Sequence, residues 1–175
     1  VELLQNDAPE LAETLSNYIY EVDPPKIRHA FVSSGFSFYF PMKTRVSTLD
    51  AYLQHSGAEK MLSIKFMFDK EMDRASVENT LNWRIARSSN PDPGGAYNFG
   101  RPLPDSEIEL PPYPHHIYYD QQSLTATVYF KIRQNASADG TIDPSHVEFR
   151  FDGKDVYGNR MDASFDQFTG FSGVF

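Results

Sequence analysis

The sequence predicts an all-β fold, an antiparallel β-sandwich of about seven to nine strands. Of its 175 residues, 14 are Phe and 10 are Tyr, side chains that are enriched on pleated, half-buried surfaces. Several segments alternate apolar with polar residues, which is the period of a strand with one buried face. Turn signals separate these segments and helical patterns are few, so a sandwich is favoured over a parallel α/β sheet.

Five segments carry the alternation clearly enough to predict which residues face the core. Trp83 is in phase with two aliphatic neighbours and is therefore expected to be buried. The predicted inward residues are Phe36, Phe38 and Phe40; Leu62, Ile64, Phe66 and Phe68; Leu81, Trp83 and Ile85; Leu124, Ala126, Val128, Phe130 and Ile132; and Val147, Phe149 and Phe151.

A short helical or extended lead-in is predicted over residues 1–25. Apolar residues recur at helical spacing between Ala8 and Val22, and the prolines that follow would end a helix. The sandwich domain is expected over residues 26–175, with a Pro-rich insertion at about 88–114 through which strands should not run.

Composition narrows the classes of function. The chain has 16 basic and 24 acidic residues, a formal charge of -8, and no basic cluster, so we expect no nucleic-acid partner. No apolar run is long enough for a spanning helix, so membrane insertion is not expected. The absence of cysteine excludes disulfides, thiolate metal sites and cysteine catalysis. Because the chain begins at Val1 and not at a methionine, we interpret it as a fragment or a processed product whose targeting segment is missing.

Two stretches predict unusual turns. In the first, a strand ends at Phe68, a charged turn lets Met72 fold back over the core edge, and Asp73 caps a single helical turn that carries Val77 inward. The second, residues 147–161, reads as a buried strand followed by two turns. In its second turn, Gly158 and Asn159 are the residues that best tolerate positive φ.

Together the two stretches resemble the bacterial immunoglobulin-like domain family typified by S-layer proteins. That family pairs a Phe-x3-Met-Asp-x2-Ser-Val pattern at a strand end with a Lys-Asp-x2-Gly-Asn pattern far downstream. The matching residues are Phe68, Met72, Asp73, Ser76 and Val77 in the first stretch, and Lys154, Asp155, Gly158, Asn159 and Met161 in the second.

The resemblance implies an immunoglobulin-like sandwich in a secreted or cell-surface bacterial protein, with the periplasm as the alternative location. Such a module is non-catalytic and acts as a spacer, a scaffold or an adhesive element. Its partners would be neighbouring domains of the same polypeptide or a cell-surface protein. The matching motif residues would define the fold rather than take part in chemistry.

A polar stretch before the fifth predicted segment is similar to a calcium-binding loop. Its oxygen-bearing residues, at the first, third, fifth and ninth positions of such a loop, are Asn135, Ser137, Asp139 and Asp143. The twelfth position holds His146, where a bidentate Glu is needed. A polar hairpin turned at Asp139 and Gly140 is therefore favoured, and calcium is a secondary hypothesis in a chain for which no cofactor is expected.

A carbohydrate-binding module is the alternative function. Tyrosines in or near the Pro-rich insertion could form a flat platform for sugar rings, and they are Tyr97, Tyr113, Tyr118 and Tyr119. For catalysis, the sequence contains no GxSxG and no phosphate-binding glycine loop, so no enzymatic function is expected.

Overall fold

The computed structural model describes residues 2–32, 53–90, 92–96, 107–140 and 146–169. The elements in chain order are α1 (Glu2–Val22), β1 (Ile27–Val32), β2 (Glu59–Phe68), α2 (Arg74–Glu78), β3 (Trp83–Ser88), β4 (His116–Asp120), β5 (Thr125–Arg133), β6 (His146–Phe151) and β7 (Gln167–Thr169). A 3-10 turn at Thr80–Asn82 leads directly into β3.

The described strands form two antiparallel sheets, ordered β1-β2-β5-β4 and β3-β6-β7. This is the strand order of constant-type immunoglobulin domains, in which the first, second, fifth and fourth strands oppose the third, sixth and seventh. The predicted antiparallel sandwich is therefore confirmed, and the described strands follow the immunoglobulin order.

An aromatic cluster joins the two sheets. The ring of Phe66 on β2 lies 5.3 Å from that of Phe149 on β6 and 5.2 Å from that of Trp83 on β3, centroid to centroid. Trp83 also stacks on Phe151 at 4.4 Å. In antibody domains, a disulfide between the second and sixth strands packs against a tryptophan on the third. This chain has no cysteine, and the contact between Phe66 and Phe149 joins the two corresponding strands instead.

The inward phase of the third strand was predicted correctly except at its start. Trp83 and Ile85 are buried, and the indole N–H of Trp83 donates to the carbonyl oxygen of Val77 at 2.9 Å. Leu81, however, is 62% exposed. It belongs to the 3-10 turn, which rotates its side chain out of the alternation of the strand.

The lead-in is a longer helix than the sequence suggested. The predicted end at Val22 is confirmed, but the helix begins at Glu2, and Pro9 lies inside it. The apolar spacing explains the difference, because Leu4 lies seven residues before Leu11 and continues the pattern upstream. Among the described helices, none combines the length and the apolar character that crossing a membrane requires.

The end of the Pro-rich insertion is part of the core. Ile108 and Leu110 are buried, and the carbonyl oxygen of Pro112 accepts the amide of Ile85 at 2.8 Å. The predicted strand at residues 36–40 lies outside the described residues. The division of the chain after residue 25 stays a prediction.

Removing the ring that links the sheets should weaken the domain strongly. We expect Phe66→Ala to lower the free energy of unfolding by about 3–5 kcal/mol, because it opens a cavity beside the rings of Trp83, Phe149 and Phe168. Urea denaturation measures this. Tyr118→Ala, at a strand position that is 59% exposed, is the control and should change the value by less than about 0.5 kcal/mol. Equal losses in both variants would contradict the role of the cluster.

Candidate functional site

The two unusual turns predicted from the sequence lie against each other. We call residues 69–82 and 152–161 together the motif junction. The amide of Asp73 donates to the carbonyl oxygen of Lys154 at 3.1 Å, and Met72 forms an antiparallel bridge with the residue that follows Lys154. Met72 is buried, as its predicted fold over the core edge requires. The main chains of two motifs about eighty residues apart in sequence are thus hydrogen-bonded to each other.

Side chains of the first motif reinforce this contact. Asp73 caps α2 as predicted, because its Oδ1 accepts the amide of Ser76 at 2.7 Å. The hydroxyl of Ser76 in turn accepts the amide of Lys154 at 3.0 Å. Val77 is fully buried on the same turn. The helical turn therefore connects the core to the second motif.

The second motif is organised around the carboxylate of Asp155. Its Oδ1 accepts the amides of Tyr157 at 3.0 Å and Asn159 at 2.8 Å, and its Oδ2 accepts the side-chain amide of Asn159 at 2.9 Å. Gly158 has φ +92, as predicted from the turn. Asn159 does not share this conformation, and it contributes its side-chain amide instead.

A buried ion pair connects the two motifs. The ammonium of Lys70 lies 2.8 Å from Oδ2 of Asp155, and their side chains are 3% and 0% exposed. Burial alone would raise the pKa of the Asp155 carboxyl. The Lys70 ammonium and the hydrogen bonds from Asn159 outweigh burial and hold that pKa below its ordinary value of 3.8. Asp155 is therefore a carboxylate at neutral pH, and it balances the charge of Lys70.

The same lysine binds the end of helix α1. Its ammonium donates to the carbonyl oxygens of Tyr20 and Asp23, the latter at 2.8 Å, and lies 4.9 Å from the ring centroid of Tyr20. The side-chain amide of Asn159 donates to the carbonyl oxygen of Glu21. Helix C-termini leave such carbonyls without intrahelical donors and favour positive charge. The motif junction thus provides the cap that attaches α1 to the sandwich.

Tyr119 contacts the motif junction and does not form part of a sugar platform. Its side chain is fully buried, and its hydroxyl accepts the amide of Met72 at 3.0 Å. Burial raises the pKa of the Tyr119 hydroxyl above its ordinary value. The prediction that Tyr119 stacks on a carbohydrate is wrong, because no face of its ring reaches solvent.

Of the other predicted platform residues, the structure describes Tyr113 and Tyr118. Tyr118 is exposed and lies on the opposite face of β4 from its buried neighbour. Tyr113 is exposed and packs its ring against the guanidinium of Arg84 at 4.5 Å. Tyr97 lies outside the described residues. Carbohydrate binding through Tyr97, Tyr113 and Tyr118 stays a prediction.

The predicted calcium loop is held by its own hydrogen bonds. Oδ1 of Asn135 accepts the amides of Ser137 at 3.1 Å and Asp139 at 3.2 Å, and the side-chain amide of Asn135 donates to Asp139 at 2.8 Å. Asp143 lies outside the described residues. Within the described part of the chain, no three His, Asp or Glu side chains gather as metal ligands. Calcium binding stays a prediction.

Sequence reasoning missed Lys70, the residue that joins both motifs to α1. A signal was present. Lys70 follows Phe66 and Phe68 at the same two-residue interval and precedes Met72, so the inward phase of β2 continues through it. A lysine in the inward phase of a strand requires a buried countercharge, and Asp155 is the acid that the second motif supplies.

Comparison with known proteins finds structural likeness only. No family model matches the chain, and no curated protein matches it. A crystal structure of the S-layer protein SbsC matches over 92% of this chain at 18% identity and a TM-score of 0.46. A second crystal structure, of the N-terminal part of the bacterial S-layer protein SbsC, matches over 97% of this chain at 17% identity and a TM-score of 0.47. The chain covers 16% and 29% of those structures. At this level of similarity the matches carry no argument about what the chain does.

Neutralising Asp155 should destabilise the protein in a pH-dependent way. We expect Asp155→Asn to cost about 3–5 kcal/mol at pH 7, because the charge of Lys70 is left buried without a partner. A lowered carboxyl pKa stabilises the fold above about pH 4, and this contribution disappears as the pH falls through the lowered value. Urea denaturation from pH 7 down to roughly pH 2 should show the gap between wild type and variant closing in acid.

The matched control is Asp152→Asn, three residues upstream. Asp152 pairs with Arg160 at 3.1 Å, and both side chains are exposed, so the change should cost less than about 1 kcal/mol. A gap between wild type and Asp155→Asn that is constant with pH would contradict the assignment of the ion pair.

Proposed function

We propose that this chain is a non-catalytic structural module of a larger exported or cell-surface bacterial protein, in which it acts as a spacer or scaffold domain. The observation that carries the proposal is the attachment of α1 to the sandwich by Lys70 and Asn159. A helix fixed in this way extends from one end of the sandwich as a stiff connector. Neighbouring domains of the same polypeptide, or a cell-surface protein, are the partners that such a connector would hold at a set distance.

The use of the motif side chains supports a structural role. The Asp155 carboxylate is fully buried, and its oxygens already accept bonds from Lys70, Tyr157 and Asn159. A catalytic carboxylate must reach a substrate within hydrogen-bonding distance. The hydroxyl of Ser76 is likewise occupied by the amide of Lys154. These residues hold parts of the chain together and present no reactive group to solvent.

The cell-surface assignment rests on the motif resemblance. Apart from Phe68, the residues that resemble the bacterial immunoglobulin-like family of S-layer proteins lie in the motif junction, so the pattern corresponds to a physical unit of this chain. Domains of that family are parts of exported proteins, and we extend that setting to this chain.

A rigid connector is tested by measuring the distance between helix and sandwich. The chain has no cysteine, so Glu13→Cys on α1 and Gln122→Cys on the β4–β5 turn introduce two unique sites for spin labels. Double electron–electron resonance should give a single narrow distance distribution. Adding Lys70→Met should broaden it, because the helix end loses its cap.

Adding Asp152→Asn is the control and should leave the distribution narrow, since that carboxylate lies in an exposed pair outside the helix attachment. A broad distribution in the otherwise unmodified chain would overturn the connector role.

Location is tested by protease treatment of intact cells that produce the full-length protein. Digestion of the domain by the protease supports a surface location, and complete resistance of the domain to digestion contradicts it.

A further inference from the structure

Helix α1 carries an apolar stripe that the described part of the sandwich does not cover. Leu11 and Leu15 are 67% and 59% exposed, and Tyr18, Ile19 and Val22 are also exposed. The described hydrogen bonds from α1 to the sandwich involve only its last turn and the residue after it. Exposed apolar surface of this extent on one element marks an interaction site.

The spacing of the stripe is that of a coiled-coil seam. Leu4, Leu11 and Tyr18 recur every seven residues, and Leu15 and Val22 form the alternate series that starts at Ala8. The resulting intervals of four and three residues are the heptad pattern with which two helices pack side by side. In proteins most of the stability of a helix comes from packing of its apolar face, so a second helix along this seam would stabilise α1.

The charge of α1 indicates which charges a partner helix should carry. The helix contains no Lys, Arg or His, and its acidic residues are Glu2, Asp7, Glu10, Glu13 and Glu21. In the heptad register, Asp7 and Glu21 take positions beside the seam. Charged residues at these positions form salt bridges with oppositely charged residues of the second helix and so determine which helix binds. A second copy of α1 would bring only like charges to these positions.

A groove lies beside the seam. A cavity of about 250 Å³ lies between the last turn of α1 and the start of the motif junction. Its lining is Ser16, Ile19, Tyr20, Asp23 and Pro24 together with Asp69 and Lys70. Asp69 is paired with Arg28 at 3.4 Å and Lys70 with Asp155 at 2.8 Å, so the groove adjoins the seam without itself selecting the charge of a partner.

We propose that the seam of α1, formed by Leu11, Leu15, Tyr18 and Val22, docks an amphipathic helix from outside this chain whose heptad seam is flanked by Lys or Arg. This inference goes beyond the structural role proposed above and does not depend on it. The apolar seam supplies the contact area, and the acidic flank of α1 selects a basic helix over an acidic one.

The test uses two synthetic helices of about four heptads that differ only in charge. Both carry Leu at the seam positions; one has Lys beside the seam and the other has Glu. Calorimetry with the full chain should show binding of the Lys peptide and at least about tenfold weaker binding of the Glu peptide. Amide chemical shifts should move along α1 when the Lys peptide binds.

Variants locate the site. Leu11→Gln combined with Leu15→Gln keeps good helix formers in place and should weaken binding of the Lys peptide at least about tenfold. Leu81→Gln, at a similarly exposed leucine far from α1 in sequence, is the matched control and should leave binding unchanged. Circular dichroism confirms that the helix content is retained in each variant.

Three results would overturn the proposal. The first is the absence of binding by the Lys peptide, and the second is equal binding of the Lys and Glu peptides. The third is dimerisation of the chain alone that the double Gln variant abolishes, since the seam would then be occupied by a second copy.

Discussion

The ion pair of Lys70 and Asp155 is the constraint on which the arrangement of this molecule depends. Both side chains are almost completely buried, so each charge is tolerable only beside the other. Lys70 continues the inward phase of β2, and Asp155 lies in the loop that follows β6. Their attraction therefore brings the ends of strands from opposite sheets together. The capping of α1 follows, because the remaining hydrogen atoms of the ammonium donate to helix carbonyls.

The aromatic cluster performs the complementary task in the middle of the sandwich. Without cysteine, the chain cannot link its sheets covalently, and Phe66 and Phe149 occupy the strands that a disulfide joins in antibody domains. Trp83 keeps its place on the third strand, and its indole N–H reaches back to Val77 in α2. The core and the motif junction are therefore joined through α2.

Much of this architecture could be predicted from the sequence, because alternation and turn chemistry are local signals. Phe68, Met72 and Asp73 take the positions that their pattern indicated. Leu81 and Tyr119 were misjudged because an alternation read from the sequence is local information. It does not reveal that a helical turn intervenes at Leu81, or that the region around Tyr119 is covered by another part of the chain. Lys70 was missed because its partner lies eighty-five residues downstream: the local spacing indicates that Lys70 faces inward, but it does not indicate which acid pairs with it.

A double-mutant cycle on Lys70 and Asp155 tests the central claim most directly. Lys70→Met and Asp155→Leu are each expected to lower the free energy of unfolding by about 3–5 kcal/mol, since each leaves one buried charge uncompensated. The double variant should lose far less than the sum of the two, because both charges are then absent and the apolar replacements fill similar volumes. Additive losses would show that the two side chains act independently, and they would contradict the account.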